Sequence, residues 1–153
     1  MTGNLEVLAT LQSAVAAETH LNAQYRADWR NVKFVGAKKV SKVLHRFGGD
    51  AHGWVKKIQD RLLLLGGDLN YTVAPVVQAA GLTALFQAEL ALEMAIVQPY
   101  EQAVQVAMRA FDDTTRNLFE HLLKWHQKHV GWLEQQLRLI ASMGEADYIG
   151  EKL

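Results

Sequence analysis

The chain has 153 residues, 50% of them hydrophobic, enough for one buried core and too few for two ordinary domains, so a single domain over residues 1–153 is expected. Sixteen Lys and Arg balance sixteen Asp and Glu, which removes any global electrostatic case for nucleic acid or an anionic membrane as partner. The absence of cysteine excludes disulfides, thiolate zinc sites, iron–sulfur ligation and cysteine nucleophiles, leaving oxygen and imidazole as metal ligands. No stretch approaches the ~20 apolar residues of a membrane span. Met1 to Leu8 lack the basic-then-apolar pattern of an export signal, so a cytoplasmic protein is expected.

With two prolines and abundant Ala, Leu, Gln, Glu, Lys and Arg, the chain reads as all-helical. Spacings of three and four predict a helix from about Asn4 to Val32, with Leu8, Leu11, Val15, Glu18, Asn22, Tyr25, Trp29 and Val32 on one stripe. A second helix, Ala37 to Leu65, carries Val40, Leu44, Phe47, Ala51, Trp54, Ile58 and Leu62. Its Gly48, Gly49 and Gly53 predict a kink or a close approach by another group. Gly66-Gly67-Asp68 ends that helix, and Leu69 to Ala80 reads as an extended connection long enough to cross a bundle. Leu82 to Ala110 is a third helix bearing Phe86, Glu89, Glu93, Ile96 and Tyr100, with a kink expected at Pro99. Asp112, Asp113 and Thr114 are cap candidates for a fourth, which runs to Met143 with Thr115, Leu118, Leu122, His126, His129 and Leu133 on its seam. Glu145 to Lys152 forms a short fifth. Four long amphipathic helices with two short turns and one long crossover, between the second and third, describe a ferritin-like four-helix bundle.

Polar groups interrupt three of the seams: Glu18, Glu93, and His126 with His129. A buried carboxylate without a partner shifts its pKa or is eliminated, whereas one metal ion compensates several such groups. His126 and His129, three residues apart, share a helical face, and a facing Glu completes a two-histidine, one-carboxylate set. The alternative is a neutral core in which the histidines hydrogen-bond to Glu18 and Glu93. His45 and His52 lie one step off the second seam and should face a groove or a partner subunit. His20 and His121 read as surface residues, and Lys38, Lys39 and Lys42 as a solvated helix face. The four tryptophans, at 29, 54, 125 and 132, read as packing or interface anchors.

These residues resemble the bacterioferritin family. AETHLNAQY (Ala17 to Tyr25) is similar to its first-helix ligand segment, DRLLLLGGDLN (Asp60 to Asn70) to the end of its second helix, ELALEM to the segment that brings Glu93, and HQKHVGWLEQQLRLIASMG (His126 to Gly144) to its fourth helix. The resemblance implies a shell of 24 subunits, a dinuclear iron centre in each bundle that oxidises ferrous iron, and a haem shared at a two-fold interface. Glu18, Glu93 and His129 match family ligands. The bridging Glu of the second helix falls on Ala51, its His on Trp54, and the second bridging Glu on His126. Two cations held a few ångströms apart need such bridges to offset their repulsion, so an ordinary di-iron cycle is not expected. Trp54 is expected to fill the volume of one metal, and Glu93, His126, His129 and Glu18 to hold one iron, zinc, manganese or copper ion.

The family's axial haem methionine falls on His52, where two copies would give bis-histidine ligation, although Thr19, Asn22, Arg26, His45 and Lys56 alter the pocket. The expected function is a shell subunit in iron storage with weak or absent ferroxidase activity, homomeric or co-assembled with a second bacterioferritin-type subunit. A haem- or metal-dependent redox protein and a purely structural subunit are the alternatives.

Overall fold

In the computed structural model, which describes residues 4–153, the chain forms five helices and, among those residues, no strand. Met1 to Gly3, included in the expected domain and in the segment read for an export signal, lie outside the described residues. The helices are α1 (Leu5–Phe34), α2 (Lys38–Leu64), α3 (Leu82–Arg109), α4 (Asp113–Met143) and α5 (Glu145–Glu151). α1 packs along α2 and α3 along α4, and the two pairs meet through α1 with α3 and α2 with α4. This is the ferritin-like bundle with crossover and short fifth helix that the periodicity predicts. No helix among the described residues is long and apolar enough to cross a membrane.

Local chemistry sets the ends. Asn4 caps α1, its side chain accepting from the Glu6 and Val7 amides at 2.9 and 3.3 Å. Gly36, at φ 103°, ends it in the left-handed region that glycine tolerates. Of the three cap candidates for α4, Asp112 does the work: its carboxylate accepts from the Thr115 amide at 3.0 Å and the Thr115 hydroxyl at 2.6 Å. It also pairs with Arg61 of α2 at 2.7 Å. Burial would raise the Asp112 pKa, but Thr115 and Arg61 outweigh it and hold the carboxyl below its ordinary value.

α1 buries more than one stripe. Leu11, Val15, Glu18, Tyr25 and Val32 are buried as the spacing predicts, but so is a second line, Val7, Ala14, Leu21 and Asp28. Leu8, Asn22 and Trp29 are only half-buried. The cause is that α1 packs against both α2 and α3, so its covered face is wider than a single seam. On α4, Phe119 rather than Leu118 takes the core position. Of the three glycines within α2, Gly48 is the one at a close approach, since a Cβ there would lie 3.3 Å from the Tyr25 Cβ. Gly49 and Gly53 face open space. Pro99 lies inside α3 without ending it.

The crossover, residues 65–81, is long for a physical reason. A 27-residue helix such as α2 is about 40 Å long at about 1.5 Å per residue. An extended chain gains about 3.3 Å per residue, so returning to the far end takes about a dozen residues. Three α1 side chains hold this strap. Gln12 donates to the Asp68 carbonyl at 2.6 Å, and the His20 ring to the Ala74 carbonyl at 2.9 Å. Gln24 brackets Val77, accepting from its amide at 3.0 Å and donating to its carbonyl at 2.8 Å. His20 is therefore buried, at 8% exposure, and not the surface residue its position suggests, because the strap covers it. His121 is exposed as expected.

Asp112→Ala should lower stability by about 1–2 kcal/mol, since it removes both the cap and the Arg61 pair. Asp112→Asn, which keeps a capping oxygen, should lose less. Equal losses in chemical denaturation would show that the cap contributes nothing.

Candidate metal centre

Four side chains from three helices converge in the middle of the bundle. Glu18 of α1 and Glu93 of α3 are each 0% exposed, and His126 and His129 of α4 are 1% and 3% exposed. His126 lies between the carboxylates, its Nδ1 2.5 Å from Glu93 Oε2 and its Nε2 2.8 Å from Glu18 Oε2. Both ring nitrogens thus face carboxylate oxygens, and an imidazole that donates from both is an imidazolium. Glu93 Oε1 faces His129 Nδ1 at 2.8 Å and accepts from the Tyr25 hydroxyl at 2.5 Å. The Tyr100 hydroxyl donates to Glu18 Oε2 at 2.7 Å.

The electrostatics follow from this order. Burial disfavours the His126 cation, but the Glu18 and Glu93 carboxylates outweigh it and hold its pKa up at about 10. Burial likewise disfavours the Glu93 anion, and the hydrogen bonds from His126 and His129 outweigh it, bringing Glu93 down to about 2. Burial, then the neighbouring carboxylates, pushes the Tyr25 and Tyr100 hydroxyls well above their usual value, so both remain donors.

Two buried atoms of the cluster, Glu18 Oε1 and His129 Nε2, have no hydrogen-bond partner. Such orphans mark a place for one more charged or polar species. Glu93, His126 and His129 each offer a ligand atom, all within 4.8 Å of one another, and the two-imidazole, one-carboxylate set suits a single divalent ion. Glu18 reaches the cluster through His126, in the position of a carboxylate that orients a ligating imidazole. Ala51, on the α2 side, has no donor to bridge a second ion.

Sequence spacing missed several participants. Tyr25 and Tyr100 stand on the predicted seams, and their hydroxyls could have been read as donors to the seam carboxylates. Phe47 covers the α2 side of the histidines, stacking on His129 with ring centroids 3.9 Å apart. Trp54, expected to fill a metal's volume, is half-buried, with the Lys57 ammonium 4.8 Å from its ring centre. One turn before Glu93, Glu89 is 1% exposed and neither of its oxygens has a hydrogen-bond partner. Burial, then the adjoining Asp28 carboxyl, raises the Glu89 pKa well above its ordinary value. His52 and His45 are exposed on α2, the latter against Trp29 with ring centroids 4.7 Å apart.

Without metal, stability should be greatest between about pH 4.5 and 6.5, the ordinary values of Glu93 and His126. Glu93, depressed on folding, loses its contribution as pH falls toward 2; His126, raised on folding, loses its own as pH rises toward 10. A melting-temperature profile flat from pH 4 to 10 would refute this. Because Glu89 is raised, its contribution is instead lost as pH rises above the ordinary carboxyl value. Glu89→Gln should therefore stabilise the protein at pH 8 by about 1–2 kcal/mol and have little effect at pH 4.

Comparisons with known proteins agree with the fold and with the chain's extent. Residues 8–143 match the family model described as a ferritin-like domain. The chain is 29% identical to a bacterioferritin of Streptomyces coelicolor over 150 residues, covering 97% of this chain and 90% of that protein. It is 27% identical to a bacterial ferritin of Neisseria meningitidis over 154 residues, with both chains covered in full at 100%. The solved structure of Mycobacterium tuberculosis bacterioferritin, BfrA, superposes with a TM-score of 0.95 at 25% identity, over 100% of this chain and 97% of that one. From the fold, the central Glu and His cluster and these matches together, the chain belongs to the ferritin-like family, on its bacterioferritin branch.

Proposed function

We propose that residues 1–153 form one ferritin-like domain that serves as a subunit of a cytoplasmic, bacterioferritin-type iron-storage shell, with a single-ion site in its core and little or no ferroxidase activity of its own. The observation that carries this reading is His126 between Glu18 and Glu93. An imidazole with a carboxylate oxygen at each of its nitrogens stands there, where a dinuclear centre would need a bridging anion. Glu93, His126 and His129 would hold one ferrous iron, zinc, manganese or copper ion, with Glu18 orienting His126.

Such an ion would act as a Lewis acid or a one-electron redox partner according to its identity. The ion must displace the protons that His126 and His129 share with Glu93, so occupancy rises with pH. One ion lacks the second, bridged cation of a two-iron oxidation. Rapid iron oxidation in a shell containing this chain would then come from a second bacterioferritin-type subunit.

Three measurements on the purified protein test the reading: native mass, elemental analysis with an absorption spectrum, and oxygen uptake on adding ferrous iron. The expected result is a large spherical oligomer with at most one ion per chain, slow oxygen uptake, and loss of that ion in His129→Ala. Two ions per chain with fast oxygen uptake, or an isolated monomer or dimer, would overturn it. A Soret band would assign the exposed His52 to haem, the alternative that its place on α2 leaves open.

A further inference from the structure

The net charge of zero conceals a division. Between Arg26 and Lys57 lie nine of the sixteen Lys and Arg but only two of the sixteen acids, Asp28 and Asp50, a surplus of seven balanced by an equal deficit elsewhere. Asp28 is 3% exposed and bonded to Gln24, and Asp50 is half-buried, so this end of the α1–α2 pair shows solvent its cations without its acids. Lys38, Lys39 and Lys42 are exposed, as expected of a solvated helix face.

Three of these cations, Lys33, Lys38 and Lys42, line a cavity of about 130 Å³ together with Trp29, Ser41 and His45. None of its lysines forms an ion pair among the described residues. Trp29 forms a floor on which further positive charge gathers, with the Arg30 guanidinium 4.7 Å and the Lys33 ammonium 5.6 Å from its ring centre. α2 starts at Lys38 with neither a side-chain cap nor an acidic residue in its first turn, and its Lys38 and Lys39 amides donate to the Gly36 and Lys152 carbonyls at 2.8 and 2.9 Å, so the lysine ammoniums rather than the helix end supply the charge. Like charges around a concave wall repel one another and focus a positive potential into the cavity. A dianion relieves both effects, and lysine ammoniums meet phosphate oxygens as compact point charges.

We infer that the Trp29–Lys33–Lys38–Lys42–His45 cavity is a binding site for a tetrahedral oxyanion, either free phosphate or the phosphoryl group of a small metabolite. The lysines supply the charge, and the Trp29 and His45 rings, with centroids 4.7 Å apart, form the wall of the site. The site lies on the α1–α2 end and does not depend on occupancy of the bundle core.

Isothermal titration of the assembled protein with inorganic phosphate, and separately with ADP, tests it, with sodium chloride as the background salt. Saturable binding of one anion per chain is expected. It should weaken at least about tenfold in Lys42→Glu and in Lys33→Gln, and be unchanged in Arg109→Glu, a charge change beside Glu6 at the opposite end of α1. Tighter binding of ADP than of phosphate identifies a phosphorylated ring compound as ligand, and equal binding identifies the free oxyanion. Lack of saturation, or equal weakening by Arg109→Glu and Lys42→Glu, would show only diffuse counter-ion attraction and overturn the site. Circular dichroism of each variant separates lost binding from lost fold.

Discussion

Two carboxylates with no access to solvent, Glu18 on α1 and Glu93 on α3, face one another across the bundle, and the rest of the core is arranged around their need for positive charge. Removing an ion from water costs several kcal/mol even after relaxation, so two uncompensated anions would consume much of a domain's typical stability of roughly 5–15 kcal/mol. His126 is the answer on α4. A single ring reaches both carboxylates because its two nitrogens point in opposite directions, and each finds an oxygen at hydrogen-bond distance. Tyr25 and Tyr100 then donate to oxygens of Glu93 and Glu18. Three helices are thereby tied through one imidazolium. Truncating it would leave two buried anions, a far greater penalty than the loss of the ring's own packing.

The strap between α2 and α3 serves the same centre indirectly. By carrying the chain back along the bundle it brings α3, with Glu93, beside α1, with Glu18. The α1 side chains that hold it, Gln12, His20 and Gln24, are not on the carboxylate seam but on the flank the strap covers. Gln24 also donates to Asp28, which neighbours Glu89. One helix face thus positions the crossover, and the adjoining face builds the polar core.

The fold was legible because its signals are repetitive: four long stripes, glycine-marked ends and one connection too long for a hairpin. The converging residues were legible too, since Glu18, Glu93, His126 and His129 interrupt otherwise apolar seams. What spacing could not supply is which polar atom meets which. His20 reads as exposed from helix position alone, since nothing local says that a segment more than fifty residues away covers it. Glu89 shares a face with Glu93 and Phe86, yet its burial beside Asp28 depends on the contact between α1 and α3. Phe47, and not Trp54 two turns further along α2, lies over His129, and spacing that puts both rings on one seam does not say which of them does so. These are tertiary facts, and they decide the chemistry.

A proton and a metal ion are alternative solutions to the same electrostatic demand. With His126 charged, Glu18, His126 and Glu93 sum to a single negative charge that Tyr25, Tyr100 and His129 solvate by hydrogen bonds. A divalent ion held by Glu93, His126 and His129 would replace protons on those rings, and His126 would keep its other N–H for Glu18. The orphaned Glu18 Oε1 and His129 Nε2 show that the protonated form leaves the centre short of full satisfaction. A bundle that keeps its own cation offsets its buried carboxylates by protonation alone, so an ion at the proposed site would replace a charge the core already holds. The same economy explains how Ala51 is tolerated. Once His126 supplies the positive charge between the helices, a further carboxylate from α2 would add an anion that nothing in the core offsets.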